Sequence, residues 1–207
     1  PPSGANPMYF SMGNWDNGEF DRFPEWKGVT FTGIPSNTNG CKSMLDAMRA
    51  RDMKGGIALT VPGQMADRRP DGTLDFNMNK YKALVDRVAA VPNLASYVAD
   101  KTFELFCFGD ELQHPKWNGT IPPNTRKEMA KYAKQTLPAG VIICVRMPSD
   151  RLSGSHLPTG GWGGFLDAGW AQYTGPFRSA SIGMTATQFC TSERTAMLAL
   201  GIPHIIL

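Results

Sequence analysis

The sequence predicts an α/β protein, a (β/α)8 TIM-barrel-like chain built from parallel βαβ units. Three observations carry that expectation. Short β-rich apolar runs alternate with helical patterns along the whole length. No glycine-rich phosphate loop follows the first strand, which sets aside the dinucleotide-binding form of the alternative, an open doubly wound sheet. The segments after the third, fourth and fifth strands are long, as barrel active-site loops often are.

The elements follow in order. Residues 8–12 (MYFSM) read as the first strand and residues 28–34 (GVTFTGI) as the second. Residues 39–53 read as a helix, with Met44, Leu45, Met48 and Met53 on one face, Asn39 as cap and Gly55-Gly56 as its end. Residues 57–61 (IALTV) are a third strand. A polar loop follows over residues 62–75, with Pro70-Asp71-Gly72 as a turn signal. Residues 77–91 give a helix through Tyr81, Leu84, Val85 and Val88, stopped by Pro92, and residues 94–98 a short one. Residues 103–112 (FELFCFGDEL) are the fourth strand, a run that closes on a glycine and two adjacent carboxylates. Prolines open a helix over residues 122–136, and residues 141–147 (VIICVRM) are the fifth strand. A glycine-rich loop, residues 148–166, leads to a sixth strand at 169–174. A helix at 185–200 ends at Gly201, and residues 203–207 begin a seventh strand.

A barrel takes about 250 residues and eight strands. With about seven strands in 207 residues, the chain reads as a single barrel domain over residues 1–207, incomplete before its last strand or strands. An apolar strand left at an edge invites pairing. Association through the C-terminal strand, as an assembly subunit completed by another chain, is therefore one alternative.

Composition narrows the function classes. Hydrophobic residues at 42% support a sizeable core, and 22 Gly with 16 Pro and only 19% charge imply long ordered loops. A net charge of +3 with scattered basic residues gives no nucleic-acid footprint. No apolar stretch approaches the roughly 20 residues of a membrane span. A chain that begins at Pro1 implies an upstream segment that was removed, and the sequon Asn118-Gly119-Thr120 leans the localisation toward secretion. Cys41, Cys107, Cys144 and Cys190 form no C-x-x-C pair, and Cys107 and Cys144 read as buried strand thiols. His114, His156 and His204 lack zinc spacing, so neither metal nor cofactor is expected.

The fourth strand carries the candidate chemistry. It ends in Gly109-Asp110-Glu111, and carboxylates at the carboxyl end of a parallel strand sit where such folds build active sites. Strict alternation puts Glu111 on the face of Gly109, Cys107 and Leu105, and turns Asp110 toward the helices or a loop. Glu111 beside aromatic groups suits a general acid, and capping or an Arg partner suits it as structure. Arg146, at the end of the fifth strand, can pair with Asp110 or Glu111 or bind an anionic substrate. Trp15, Trp117 and Trp162 fall in loops or strand ends and suit sugar stacking, with Trp162 on a glycine loop able to close over a ligand. Trp26 and Trp170 read as core. Asp16, Asn37, Gln64 and His114 complete the candidate substrate contacts, each with an ordinary loop role beside it.

Gly109-Asp110-Glu111 resembles the strand-four signature of retaining glycoside hydrolases with (β/α)8 barrels, in which an Asn-Glu or Asp-Glu pair places the acid/base Glu. The resemblance implies Glu111 as acid/base and Tyr173, on the sixth strand, as the hydroxyl supporting a strand-seven nucleophile. Leu112 stands where those families often have Pro. On this register the nucleophile falls just after Leu207, although a retaining pair needs two carboxyls about 5 Å apart. The expected function is a glycoside hydrolase-like domain acting on carbohydrate, with a non-catalytic carbohydrate-binding barrel as the other alternative.

Overall fold

The computed structural model describes residues 30–32, 34–59, 62–110, 112–114, 116–171 and 183–206. Among the described residues eight short strands occur in chain order: β1 (Thr30–Thr32), β2 (Gly55–Ala58), β3 (Ala66–Arg68), β4 (Leu74–Phe76), β5 (Leu105–Asp110), β6 (Ile142–Arg146), β7 (Ala168–Trp170) and β8 (His204–Ile206). Between them run helices α1 (Thr38–Ala50), α2 (Met78–Ala89), α3 (Leu94–Ala99), α4 (Pro123–Thr136) and α5 (Ala186–Ala199).

Six strands form one sheet in the order β1-β2-β5-β6-β7-β8, with every neighbouring pair parallel. The order follows the chain without reversal. A doubly wound sheet reverses at its switch point, whereas a barrel wall does not. These six are the second to seventh strands of the sequence expectation. The expected first strand, residues 8–12, lies outside the described residues. β3 and β4 form a separate antiparallel hairpin in the long loop after β2, where the sequence suggested only loop.

The sheet is buried on both faces, which explains why its strands read as continuous apolar runs. Alternation divides the side chains. Ile57, Phe106, Phe108, Ile143 and Val145 join residues of α1, α2 and α4 in the main core. Ala58, Leu105, Cys107, Cys144, Ala168, Trp170 and Ile206 form a second cluster on the other face. Most residues of that inner cluster are small.

Local chemistry sets the helix ends. Asn37, not Asn39, caps α1, and its Oδ1 accepts from Gly40 N at 2.8 Å. Asn77 Oδ1 accepts from Asn79 N and Lys80 N to start α2. Thr185 and Gln188 form a reciprocal capping box on α5. The end of α1 also differs from expectation. Asp52 takes the left-handed turn at φ 53, so the helix closes before Met53 and Gly55-Gly56 are free to open β2.

Candidate active site

β5 delivers its end to the carboxyl edge of the sheet through an irregularity. Its register against β6 runs Leu105↔Ile142, Phe106↔Ile143 and Cys107↔Cys144, then shifts, so that Asp110 pairs with Arg146. Such a bulge inserts an extra residue and re-aims the side chain that follows. Arg146 shares the parity of Ile142 and Cys144 on the inner face. Asp110 meets it there: Arg146 Nη1 donates to Asp110 Oδ2 at 2.9 Å. The expectation that Asp110 faces the helices is thereby corrected, and of the two partners open to Arg146 the structure shows Asp110.

A third residue joins the pair from the next strand. The Arg146 guanidinium lies 5.2 Å from the ring centroid of Trp170, at the end of β7. Within about 6 Å of an aromatic face a cation is attracted by the ring quadrupole. Asp110, Arg146 and Trp170 thus line up across the ends of β5, β6 and β7. The side chains of Asp110 and Arg146 are 14% and 26% exposed, so the pair is sheltered yet open to solvent. The sequence places Trp170 in the core, and it is buried there. Its alternation with Ala168 shows its face, but only β6 reveals it as the partner of Arg146.

A Cβ on Gly109 would lie 2.5 Å from Leu112 Cδ2, so glycine is what lets Leu112 fold back against the strand. Leu112 is fully buried, and its carbonyl accepts from Ile121 N at 3.1 Å. Glu111 and Tyr173 lie outside the described residues, as do Trp15 and Asp16.

The remaining candidates go to structural roles. Asn37 is committed to its cap. Gln64 Nε2 donates to Ile34 O at 3.3 Å, tying the loop after β2 to the end of β1. His114 is exposed, and its Nδ1 accepts from Lys116 N at 3.0 Å within a turn. Trp117 is 2% exposed, forms a β-bridge to Leu74, and packs edge-on against Phe76 at 6.4 Å. Trp162 is 1% exposed, and its indole Nε1 donates to Leu152 O at 3.2 Å. A buried ring has no face to offer a sugar, so the expectation of stacking platforms at Trp117 and Trp162 is corrected.

The glycine loop around Trp162 also differs from a free lid. Gly160, Gly161, Gly163 and Gly164 all sit at positive φ, so glycine is needed for shape. The loop is tied to α4, where Lys127 Nζ donates to Thr159 O at 3.0 Å and Asn124 Oδ1 accepts from Thr159 N at 2.8 Å. Beyond β6, a buried acid that the sequence reading missed fastens the next segment. Glu193 of α5 accepts from Ser149 N at 2.8 Å and from Ser149 Oγ at 3.0 Å. At the opposite end of the sheet, Asp167 accepts from Ile143 N and Lys134 Nζ, a contact that secures the wall away from the mouth.

Below the site lie two thiols. Cys107 and Cys144 face each other in register on the inner face, both buried and free. Burial pushes the Cys144 thiol well above its ordinary range, and its hydrogen bond with Cys107 adds to this. Such a thiol is a packing group rather than a nucleophile. Among the described residues, no group of three or more His, Cys, Asp or Glu is placed to hold a metal, and no helix is long and apolar enough to cross a membrane.

No family model matches the chain, and no curated protein matches it. Among solved structures it is similar to a hyperthermophilic endocellulase from the archaeon Pyrococcus horikoshii, with a TM-score of 0.52 at 9% identity over 93% of this chain and 68% of that one. It is also similar to the glycoside hydrolase family 30 subfamily 8 xylanase Xyn30A from Clostridium acetobutylicum, with a TM-score of 0.48 at 12% identity over 96% and 63% of the two chains. A cellulase in complex with an inhibitor gives 0.47 at 10% identity over 93% and 68%. The first likeness shows the fold: an α/β chain with a parallel sheet of the TIM-barrel type.

Proposed function

We propose that this chain is a carbohydrate-acting domain of the glycoside hydrolase kind, with Glu111 as its general acid/base. The observation that carries the reading is the Asp110–Arg146 pair at the carboxyl edge of a parallel sheet whose strands follow chain order. Active sites of (β/α)8 barrels sit at that edge. Glu111 is the next residue after a carboxylate held there. Tyr173 is the supporting hydroxyl in this reading, and Asp110 and Arg146 line the substrate side. The likeness to an endocellulase supports the fold on which the reading stands and leaves substrate and linkage to experiment.

The test is Glu111→Gln, assayed with the parent on a panel of aryl glycosides and β-linked oligosaccharides. Loss of hydrolysis with an unchanged far-UV spectrum supports the assignment. Full activity in the variant removes it. Binding of oligosaccharide without turnover in the parent favours a non-catalytic carbohydrate-binding barrel instead. Concentration-dependent association with neither binding nor turnover favours an assembly role.

A further inference from the structure

We propose that Asn118 is a modification site: its side-chain amide carries an N-linked oligosaccharide, recruited through the hydroxyl of Thr120. The proposal stands apart from the acid/base reading of Glu111. Asn118-Gly119-Thr120 is the one Asn-x-Ser/Thr triplet in the sequence. A sugar chain is bulky and needs an acceptor at the surface. All three residues of the triplet are exposed, and a Cβ built on Gly119 meets nothing within 4 Å.

Thr120 supplies the second observation. It sits at φ 54, in the left-handed region. The other non-glycine residues found there among the described residues are Asp52, Asn93 and Lys101, so Thr120 is the β-branched one. A β-branched side chain is a genuine outlier in that region, where glycine would be free of strain. Burial does not explain the threonine, and among the described residues its hydroxyl makes no hydrogen bond. A hydroxyl two residues beyond an exposed Asn is the group that this modification requires. The strained residue is therefore read through its chemistry rather than its packing.

The geometry also leaves the acceptor room to react. Asn118 N donates to Leu74 O, which fixes the backbone beside β4. Asn118 Nδ2 donates to Asp75 Oδ1 at 2.7 Å. An amide nitrogen has two hydrogens, so one serves Asp75 and the other is replaceable. The co-reactant is an oligosaccharide activated as a diphosphate ester of a lipid alcohol, used by a membrane transferase. A bond forms between Asn118 Nδ2 and the anomeric carbon. The bond from that carbon to the diphosphate oxygen breaks, its electron pair leaves with the diphosphate, and one amide proton passes to a base. No atom is oxidised or reduced. The hydrogen that remains can keep the bond to Asp75, so the glycan stands beside the hairpin without undoing it.

The experiment passes the full chain, behind a secretion signal, through a eukaryotic secretory pathway. Intact mass is read on chain from medium and cell extract alike. The parent is expected to be heavier than its sequence by one glycan, and peptide-N-glycosidase is expected to remove it and leave Asp in place of Asn118. Asn118→Gln should show the bare sequence mass. Thr120→Gly should do so too, while suiting the positive φ and keeping Asn118 on Asp75. Thr120→Ser restores the hydroxyl and should regain the glycan. A parent at its bare sequence mass overturns the proposal. A glycan that persists in Asn118→Gln or in Thr120→Gly overturns it as well, since the sugar then sits elsewhere or needs no hydroxyl. If Asn118→Gln does not fold, the contrast between Thr120→Gly and Thr120→Ser decides.

Discussion

Arg146 reaches Asp110 across the ends of two parallel strands whose register has just shifted, and the shift is what makes the contact. In strict alternation the two side chains would point to opposite faces. The pair is partly buried, between the surface case of at most about 1 kcal/mol and the fully buried case of about 3–5 kcal/mol on breaking one partner. Urea melts of Asp110→Ala, Arg146→Met and the double variant are expected to show single losses of about 1–3 kcal/mol and a double variant less destabilised than their sum. Simple additivity shows that the pair has no coupling in solution.

Gly109→Ala places a methyl carbon 2.5 Å from Leu112 Cδ2 in a fully buried site. The expected cost is about 1–3 kcal/mol, the usual range for overpacking. Leu112→Ala is destabilising by itself, yet combined with Gly109→Ala it should recover part of the steric cost. A double variant as unstable as the sum of the two shows that Leu112 is not what glycine accommodates.

Trp162→Ala tests whether that indole is core or platform. Full burial and the bond to Leu152 O predict a loss of about 3–5 kcal/mol in chemical denaturation. A residue that only stacked on ligand from the surface would cost little stability. A folded variant with parental stability and weakened sugar binding would restore the platform role.

Among the four thiols, only Cys190 is not buried. Burial raises the Cys41 and Cys144 thiols, which leaves little thiolate at neutral pH. Ellman's reagent is expected to titrate one thiol in the native protein and four in denaturant, with Cys190→Ser abolishing the native signal. Rapid native labelling of a second thiol would show that the inner face opens.

Asp75 gives the hairpin a pH-dependent anchor. Its carboxylate accepts from Asn118 Nδ2 at 2.7 Å and from Arg69 Nη1 at 3.0 Å, and these bonds, Asn118 first, hold its pKa below the ordinary value. A depressed folded pKa stabilises above the unfolded value of about 3.9 and loses that contribution as pH falls through the folded value. The parent should therefore lose more stability between pH 5 and pH 2 than Asp75→Asn, by thermal melts at about half-unit steps across that acid range. Equal acid sensitivity in the two proteins shows that Asp75 is not linked.

The alternation of elements was legible because each helix carries its own apolar stripe and cap. Asn77 and Thr185 state their helix starts in the letters alone. The β3–β4 hairpin was not, since three-residue strands are too short to show a period. Asp110's direction was hidden for another reason: a bulge is a relation between β5 and β6, and no single strand encodes it. The burial of Trp162 depends on a carbonyl ten residues back, although glycine pairs on either side suggest an open loop. Asp52 replaced the glycine that helix ends usually use, which moved the boundary by several residues.

Glu193 has a consequence for how the molecule breathes. Both hydrogens that Ser149 can donate end on this one side chain of α5. The Ser149 amide can therefore trade its proton for deuterium only when that grip is released. The first turn beyond β6 and the last helix become one cooperative opening unit, with a shared exchange rate although 44 residues separate them in sequence.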